Sequence, residues 1–254
     1  MRNVGSFAAI GDSFTEGYGD HYPDGSCQGW ADRFARLLAA SAPGLTYANL
    51  AVRGKLLRQV ISEQIPPAIA LKPDLISLAA GGNDLLRPGA DPDALAASFE
   101  HAVVQLRAAN AQMLLFSGFD PAGLPLMRLI RDKCIAYNAQ VKDIAARHDC
   151  LHVDLWSMTV LADPRLWCAD RLHLAADGHR RVALHVAEAA GLAVSEDWRV
   201  PLPPDPAGRP GWLRARRQDL RWARAYAAPW IGRRLRGVSS GDGMLGKRPD
   251  LLPL

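Results

Sequence analysis

Five short apolar runs, separated by longer stretches of helical periodicity, constrain this chain more than any other feature. Phe7-Ala8-Ala9-Ile10, Leu45 to Leu50, Leu75-Ile76-Ser77-Leu78, Met113-Leu114-Leu115-Phe116 and Leu151 to Leu155 each read as a strand. Between the first two, Trp30, Phe34, Leu37 and Leu38 recur at helical spacing over Trp30 to Ala40. Leu56 to Gln64 reads as a short helix stopped by Pro66-Pro67. Pro92 to Ala109 is predicted helical, with Asp91 as N-cap and Pro92 at the first position. Met127 to Arg147 is a long helix, and Asp177 to Ala190 is the last helix of the body. Such alternation predicts a parallel sheet with helices on both faces. In a sheet of this kind reactive groups collect at the carboxyl ends of strands, so a site residue belongs just after a strand.

Four segments meet that condition or border the last helix. Gly11-Asp12-Ser13 follows the first strand and opens the run G-D-S-F-T-E-G. Asn49 to Gly54 (N-L-A-V-R-G) follows the second, and Gly81-Gly82-Asn83-Asp84 follows the third. Asp170-Arg171-Leu172-His173 (D-x-x-H) precedes the last helix. Together they resemble the four blocks of the SGNH hydrolase superfamily, also called GDSL lipases/esterases. The block residues correspond to Ser13, Gly54, Asn83 and His173. The resemblance spans roughly residues 6 to 190. It implies an α/β fold, a flavodoxin-like three-layer α/β/α sandwich on a five-stranded parallel sheet, and hydrolysis of esters.

The chemistry is also legible from residue types. Acyl transfer needs an activated hydroxyl, a base to take its proton and donors for the developing oxyanion. Ser13, on a turn beside Gly11, can project its hydroxyl. It needs a neighbouring base, because a serine hydroxyl is a weak acid at neutral pH. His173 can accept and return a proton near pH 7. Asp170, three residues earlier, can reach the other imidazole nitrogen, fix the tautomer and stabilise the imidazolium. The expected catalytic set is therefore Ser13, Asp170 and His173. The expected oxyanion donors are the backbone N–H groups of Ser13 and Gly54 and the side-chain amide of Asn83. Gly54 admits close backbone approach because it has no Cβ.

Each residue also has a plainer reading: Ser13 as a cap, Gly54 as a turn glycine, Asn83 as an Asx-turn. Their coincidence in four ordered blocks favours function. His179 is the rival to His173. It follows Asp177 by two residues and reads as a helix-surface side chain. Asp12 and Asp84 are expected to brace their loops. Arg53 reads equally as a substrate contact or a solvated charge. Thr15 to Gln28, polar and Gly-containing, is the expected source of alcohol-side contacts. No histidine pair has metal-ligand spacing, so neither metal nor cofactor is expected.

Charge divides the chain. The net charge is +4, yet from Arg199 onward there are twelve Lys/Arg against four Asp/Glu, a balance of +8. The first 198 residues therefore carry −4. Residues 1–198 read as the hydrolase domain and 199–254 as a basic extension. Within the extension, Pro201 to Pro206 is linker-like and Trp212 to Ala227 a basic amphipathic helix. Gly237 to Leu254 reads as disordered. The apolar face of that helix is expected to pack on the body; contact with an anionic membrane or nucleic acid is the less favoured alternative. The four cysteines form no C-x-x-C unit and read as free thiols. No apolar run approaches a membrane span, and no leader precedes the first strand, which favours the cytoplasm. The substrate is read as a small-molecule ester. Carbohydrate deacetylation, lysophospholipid hydrolysis and thioester cleavage are alternatives on the same triad. The remaining alternative is a non-catalytic module acting through the basic tail.

Overall fold

The computed structural model describes residues 4–123, 127–205, 208 and 211–254. Its strands are β1 (Ser6–Gly11), β2 (Thr46–Asn49), β3 (Leu75–Ala79), β4 (Gln112–Ser117), β5 (Leu151–Asp154) and β6 (Arg248–Pro253). Its helices are α1 (Ser13–Glu16), α2 (Gly29–Ser41), α3 (Leu57–Gln59), α4 (Ile65–Ala70), α5 (Gly82–Leu85), α6 (Pro92–Arg107), α7 (Arg131–Arg147), α8 (Ala176–Ala189), α9 (Trp212–Trp222) and α10 (Ala228–Leu235). The sheet order is β5-β4-β3-β1-β2-β6. β1 to β5 run parallel, with Phe7 opposite both Tyr47 and Leu75.

Side chains of a strand alternate between faces, and β1 shows what that does here. Phe7 and Ala9 enter one core layer with Trp30 and Phe34 of α2 and Val182 and Val186 of α8. Ala8 and Ile10 enter the opposite layer with Leu57, Phe99 of α6 and Val141 of α7. β1 is thus buried on both sides, which is why its sequence is an unbroken apolar run. The winding direction reverses between β1 and β3. That reversal opens a crevice at the carboxyl ends of those two strands.

The sheet has six strands rather than the expected five. The sixth lies in the segment read as disordered: β6 pairs antiparallel with β2, Tyr47 opposite Leu252 and Thr46 opposite Pro253. Its composition gave no strand signal, because Pro249 and Pro253 sit on an edge strand where a missing N–H costs little. Buried charge anchors it. Lys247 Nζ lies 2.7 Å from Asp32 Oδ1 and donates to the carbonyls of Cys27 and Gln28. Asp32 also accepts from the hydroxyls of Tyr22 and Tyr47. Arg248 Nε donates to the Tyr47 carbonyl at 2.7 Å.

Pro66-Pro67 does not stop its helix either. Val60–Gln64 forms a π-helical turn whose Ile65 N–H reaches the Val60 carbonyl, and both prolines then occupy the opening positions of α4. A wider turn moves the backbone where proline N–H groups are missing, and a first turn needs no N–H there. The same device recurs before Pro229. Ala223–Ala227 is π-helical, Ala228 N–H bonds the Ala223 carbonyl, and the basic helix continues into α10 instead of ending at Ala227.

The extension packs on the body through its aromatic side chains and not through its leucines. Leu213 and Leu220 are exposed and outside the crevice lining, whereas Trp222, Tyr226 and Trp230, four residues apart, border the crevice, Tyr226 while still partly open to solvent. Trp222 Nε1 donates to the Asp170 carbonyl at 2.9 Å, and Arg171 pairs with Asp219 at 2.8 Å. Of the proline run, Pro206 lies outside the described residues. The four cysteines are unpaired. Among the described residues no helix is long and apolar enough to cross a membrane.

Removing Lys247 would leave a buried carboxylate short of its only cation among the described residues. Lys247→Ala is expected to cost about 3 kcal/mol, at the low end for a broken buried pair because two tyrosine hydroxyls still serve Asp32. Chemical denaturation should show a lower midpoint; a change under about 0.5 kcal/mol would mean the lysine does not anchor the edge strand.

Candidate active site

The crevice at the β1/β3 switch point receives the residues that the sequence singled out. β1 ends at Gly11, where a Cβ would lie 2.3 Å from the Ala79 carbonyl of β3. Only glycine permits that approach. The side chain of Gln64 then closes on Gly11 like a neighbouring strand, accepting from its N–H at 2.8 Å and donating to its carbonyl at 2.9 Å. Gln64 is buried, and nothing in its sequence context beyond a polar residue ahead of two prolines signals this work.

Asp12 is the N-cap of α1, its Oδ1 accepting from Phe14 N–H at 3.1 Å. Ser13 is therefore the first residue of a helical turn, where backbone N–H groups have no intrahelical acceptor. Ser13 Oγ lies 3.0 Å from His173 Nε2, and His173 Nδ1 lies 2.7 Å from Asp170 Oδ2. A carboxylate at Nδ1 makes that nitrogen the donor, which leaves Nε2 as the acceptor of a hydrogen bond from the Ser13 hydroxyl. Asp170 Oδ1 takes the N–H groups of Leu172 and His173 at 3.0 and 3.1 Å. Burial pushes the Asp170 carboxyl up. The bonds from His173 and the two backbone donors outweigh it and hold the group below the usual carboxylate range. Two segments remote in sequence thus converge on one hydrogen-bonded path.

Gly54 sits in the same crevice at φ +73°, beside Ser13 and Asn83. A Cβ there would lie 2.0 Å from Ser239 Oγ of the C-terminal segment, so conformation and crowding both call for glycine. Asn83 Nδ2 donates to Asp12 Oδ2 and to the Lys55 carbonyl, each at 3.1 Å. Its amide hydrogens are engaged with these two acceptors. Asp84 caps α3, accepting from Leu57 N–H at 3.0 Å.

Arg53 is not a free surface charge: it is held by Glu16 and also borders the crevice. Its Nε and Nη2 hold the buried Glu16 carboxylate, whose Oε2 also accepts the Arg53 N–H at 2.8 Å. Its guanidinium lies 4.4 Å from the centre of the Tyr18 ring, and that ring packs edge-on to His173, with centroids 4.6 Å apart. His179 is a second correction. It is buried rather than on a helix surface, and Asp177 pairs with Arg180 and Arg181 instead. Trp30 N–H, at the start of α2, donates to His179 Nδ1, and Nε2 faces the Tyr18 carbonyl. Burial pushes its imidazole down to about 4, so it stays neutral and structural.

Two cavities meet at Ser13 and His173. The inner one, about 150 Å³, is walled by Phe116, Phe119, Ile130, Leu155 and Trp167. The outer one, about 370 Å³, lies between the His173 loop and the C-terminal helices and is walled by Tyr18, Arg171, Trp222, Tyr226 and Arg233.

The sequence profile of the GDSL-like Lipase/Acylhydrolase family matches residues 9–181. The chain matches no curated protein sequence. Among solved structures, the acetylxylan esterase Axe2 of Geobacillus stearothermophilus superposes with a TM-score of 0.64 at 22% identity, over 77% of this chain and 100% of that one. LAE5, an α/β hydrolase enzyme from the metagenome of Lake Arreo, gives 0.63 at 22% over 73% and 94%. TesA gives 0.60 at 24% over 72% and 97%. At these identities the likeness establishes the shared fold.

Burial pushes the Asp12 carboxyl up to about 6, against the opposing pull of Phe14 N–H. A raised acid favours the protonated folded state. Its contribution is present below the unfolded value of 3.8 and lost as pH rises through about 6. Asp12→Asn is therefore expected to gain about 3 kcal/mol relative to the unsubstituted protein between about pH 4 and about pH 7. Denaturation curves across that range would show it; a difference independent of pH would contradict the assignment.

Proposed function

The chain belongs to the GDSL-like Lipase/Acylhydrolase family and is a serine ester hydrolase, and from that premise we propose Ser13 as its nucleophile and an acyl-enzyme as its intermediate. The observation that carries this reading is the continuous relay from Ser13 Oγ to His173 Nε2 and from His173 Nδ1 to Asp170. His173 takes the Ser13 proton as Oγ bonds to the ester carbonyl carbon. The carbonyl oxygen becomes an oxyanion beside the N–H groups of Ser13 and Gly54 and the amide of Asn83. A charged oxygen is a stronger acceptor than the neutral Lys55 carbonyl and draws one Asn83 hydrogen from it. As the tetrahedral species collapses, the carbon–alkoxide bond breaks and His173 returns its proton to the departing alcohol. Water, deprotonated by His173, then releases the acid and regenerates Ser13.

In this reading the hydrolase unit is residues 1–198, and residues 199–254 serve as its edge strand and as a wall of its site. Carbohydrate deacetylation, lysophospholipid hydrolysis and thioester cleavage follow the same steps and differ in what the two cavities must hold. A panel of such substrates separates them.

Hydrolysis of a short-chain nitrophenyl ester tests the assignment. Ser13→Ala is expected to remove turnover almost entirely, and Asp170→Asn to lower kcat on the order of 10⁴-fold by losing the productive tautomer. Asn83→Ala should lower it on the order of 100- to 1000-fold. Full activity in Ser13→Ala would reject the nucleophile.

A further inference from the structure

The outer cavity has walls that the family match does not supply. The matched segment ends at residue 181, whereas Trp222, Tyr226 and Arg233 come from the C-terminal helices. Its position relative to the proton path assigns it one half of the substrate. The departing alkoxide must receive its proton from His173 Nε2, so the alcohol half lies on the side of the His173 loop. Residues 170 to 173 line the outer cavity throughout. The acyl half is left the apolar inner cavity.

Charge then narrows the alcohol. Three guanidinium groups line the outer cavity: Arg53, Arg171 and Arg233. Glu16 neutralises Arg53, and Asp219 neutralises Arg171. Arg233 has no carboxylate partner among the described residues. Asp170 is the one carboxylate in the lining, and its oxygens are taken by His173 and Leu172. An anion entering here meets one uncompensated guanidinium, whose planar fork matches a carboxylate or phosphate. A ring carried with that anion meets the aromatic faces of Trp222 and Tyr226.

We infer that the outer cavity is an alcohol-side subsite for esters of a ring-bearing anionic alcohol, its carboxylate or phosphate held by Arg233 and its ring by Trp222 and Tyr226. This rests on Ser13 acylation as proposed above, and it goes further by naming the chemical class of the leaving group.

A matched pair of chromogenic esters tests it on the full chain. 2-Nitrophenyl acetate and 3-acetoxy-4-nitrobenzoate share acyl group and nitrophenol and differ by one carboxylate. The readout is the ratio of kcat/KM for the anionic ester to that for the neutral one. Arg233→Ala is expected to lower this ratio about 10-fold or more, through KM, as for loss of one charged hydrogen bond. Arg233→Lys, which keeps the charge, should retain most of it. Calorimetry on Ser13→Ala provides a reading without turnover: 3-hydroxy-4-nitrobenzoate should bind about 10-fold tighter than 2-nitrophenol. The additional Arg233→Ala change should remove that difference. Equal affinity for the two phenols, or a ratio unmoved by Arg233→Ala, overturns the subsite. Charge-selective binding without any Ser13-dependent hydrolysis upholds the subsite and overturns the nucleophile assignment instead.

Discussion

A carboxylate buried beside Ser13 must be paired, and the way Glu16 is paired organises the rest of the crevice. An unpaired carboxylate in that position would lose its hydration without compensation. Glu16 ends the turn that begins with Ser13, and the group that meets it is Arg53, through both its guanidinium and its own N–H. The pair therefore ties the serine turn to the loop that carries Gly54. The same guanidinium lies on Tyr18, and Tyr18 packs against His173. One ion pair thus fixes the spacing between the hydroxyl, one backbone donor and the imidazole. Asn49 adds a second tie, donating from a buried position to the Thr15 carbonyl.

The positive end of the chain finds its counter-charges inside the fold as well as at its surface. Lys247 meets Asp32, Arg199 meets Glu188 of the body, and the extension lays its aromatic residues along the crevice. A body of net −4 and an extension of +8 attract each other over distances longer than any single contact. The aromatic spacing then fixes the seat, because Trp222, Tyr226 and Trp230 share one helical face.

What the sequence made legible was local. A strand followed by Gly-Asp-Ser, or an acid three residues before a histidine, needs only a turn to become geometry, and the Asp170–His173 bond is such a case. The five parallel strands were legible because burial on both faces leaves continuous apolar runs. What escaped notice depends on partners far along the chain. β6 is a strand because β2 offers an edge and Asp32 awaits a cation, not because its own residues favour extension. His179 looked like a surface residue by its spacing from Asp177, yet the start of α2 presses Trp30 N–H against it. Pro66-Pro67 reads as a stop until the preceding turn widens. Gln64 earns no notice from sequence, since its role is to complete the hydrogen bonds of Gly11.

The extension is joined to the crevice at the Asp170–His173 loop, and this has a mechanical consequence. Trp222 bonds the main-chain carbonyl of Asp170, and Asp219 holds the adjacent Arg171, whose guanidinium lies 5.2 Å from the Trp222 ring. On the other side, Ser239 reaches the Arg53 carbonyl next to Gly54. The helices between those two attachments therefore span the outer cavity from Asp170 to Gly54. Displacing them strips a hydrogen bond from the segment that orients His173. It also uncovers Gly54, whose φ of +73° is now packed against Ser239. The contacts that seat these helices over the outer cavity are therefore the ones that touch the Asp170 and Gly54 segments, so displacing the helices as a unit disturbs both.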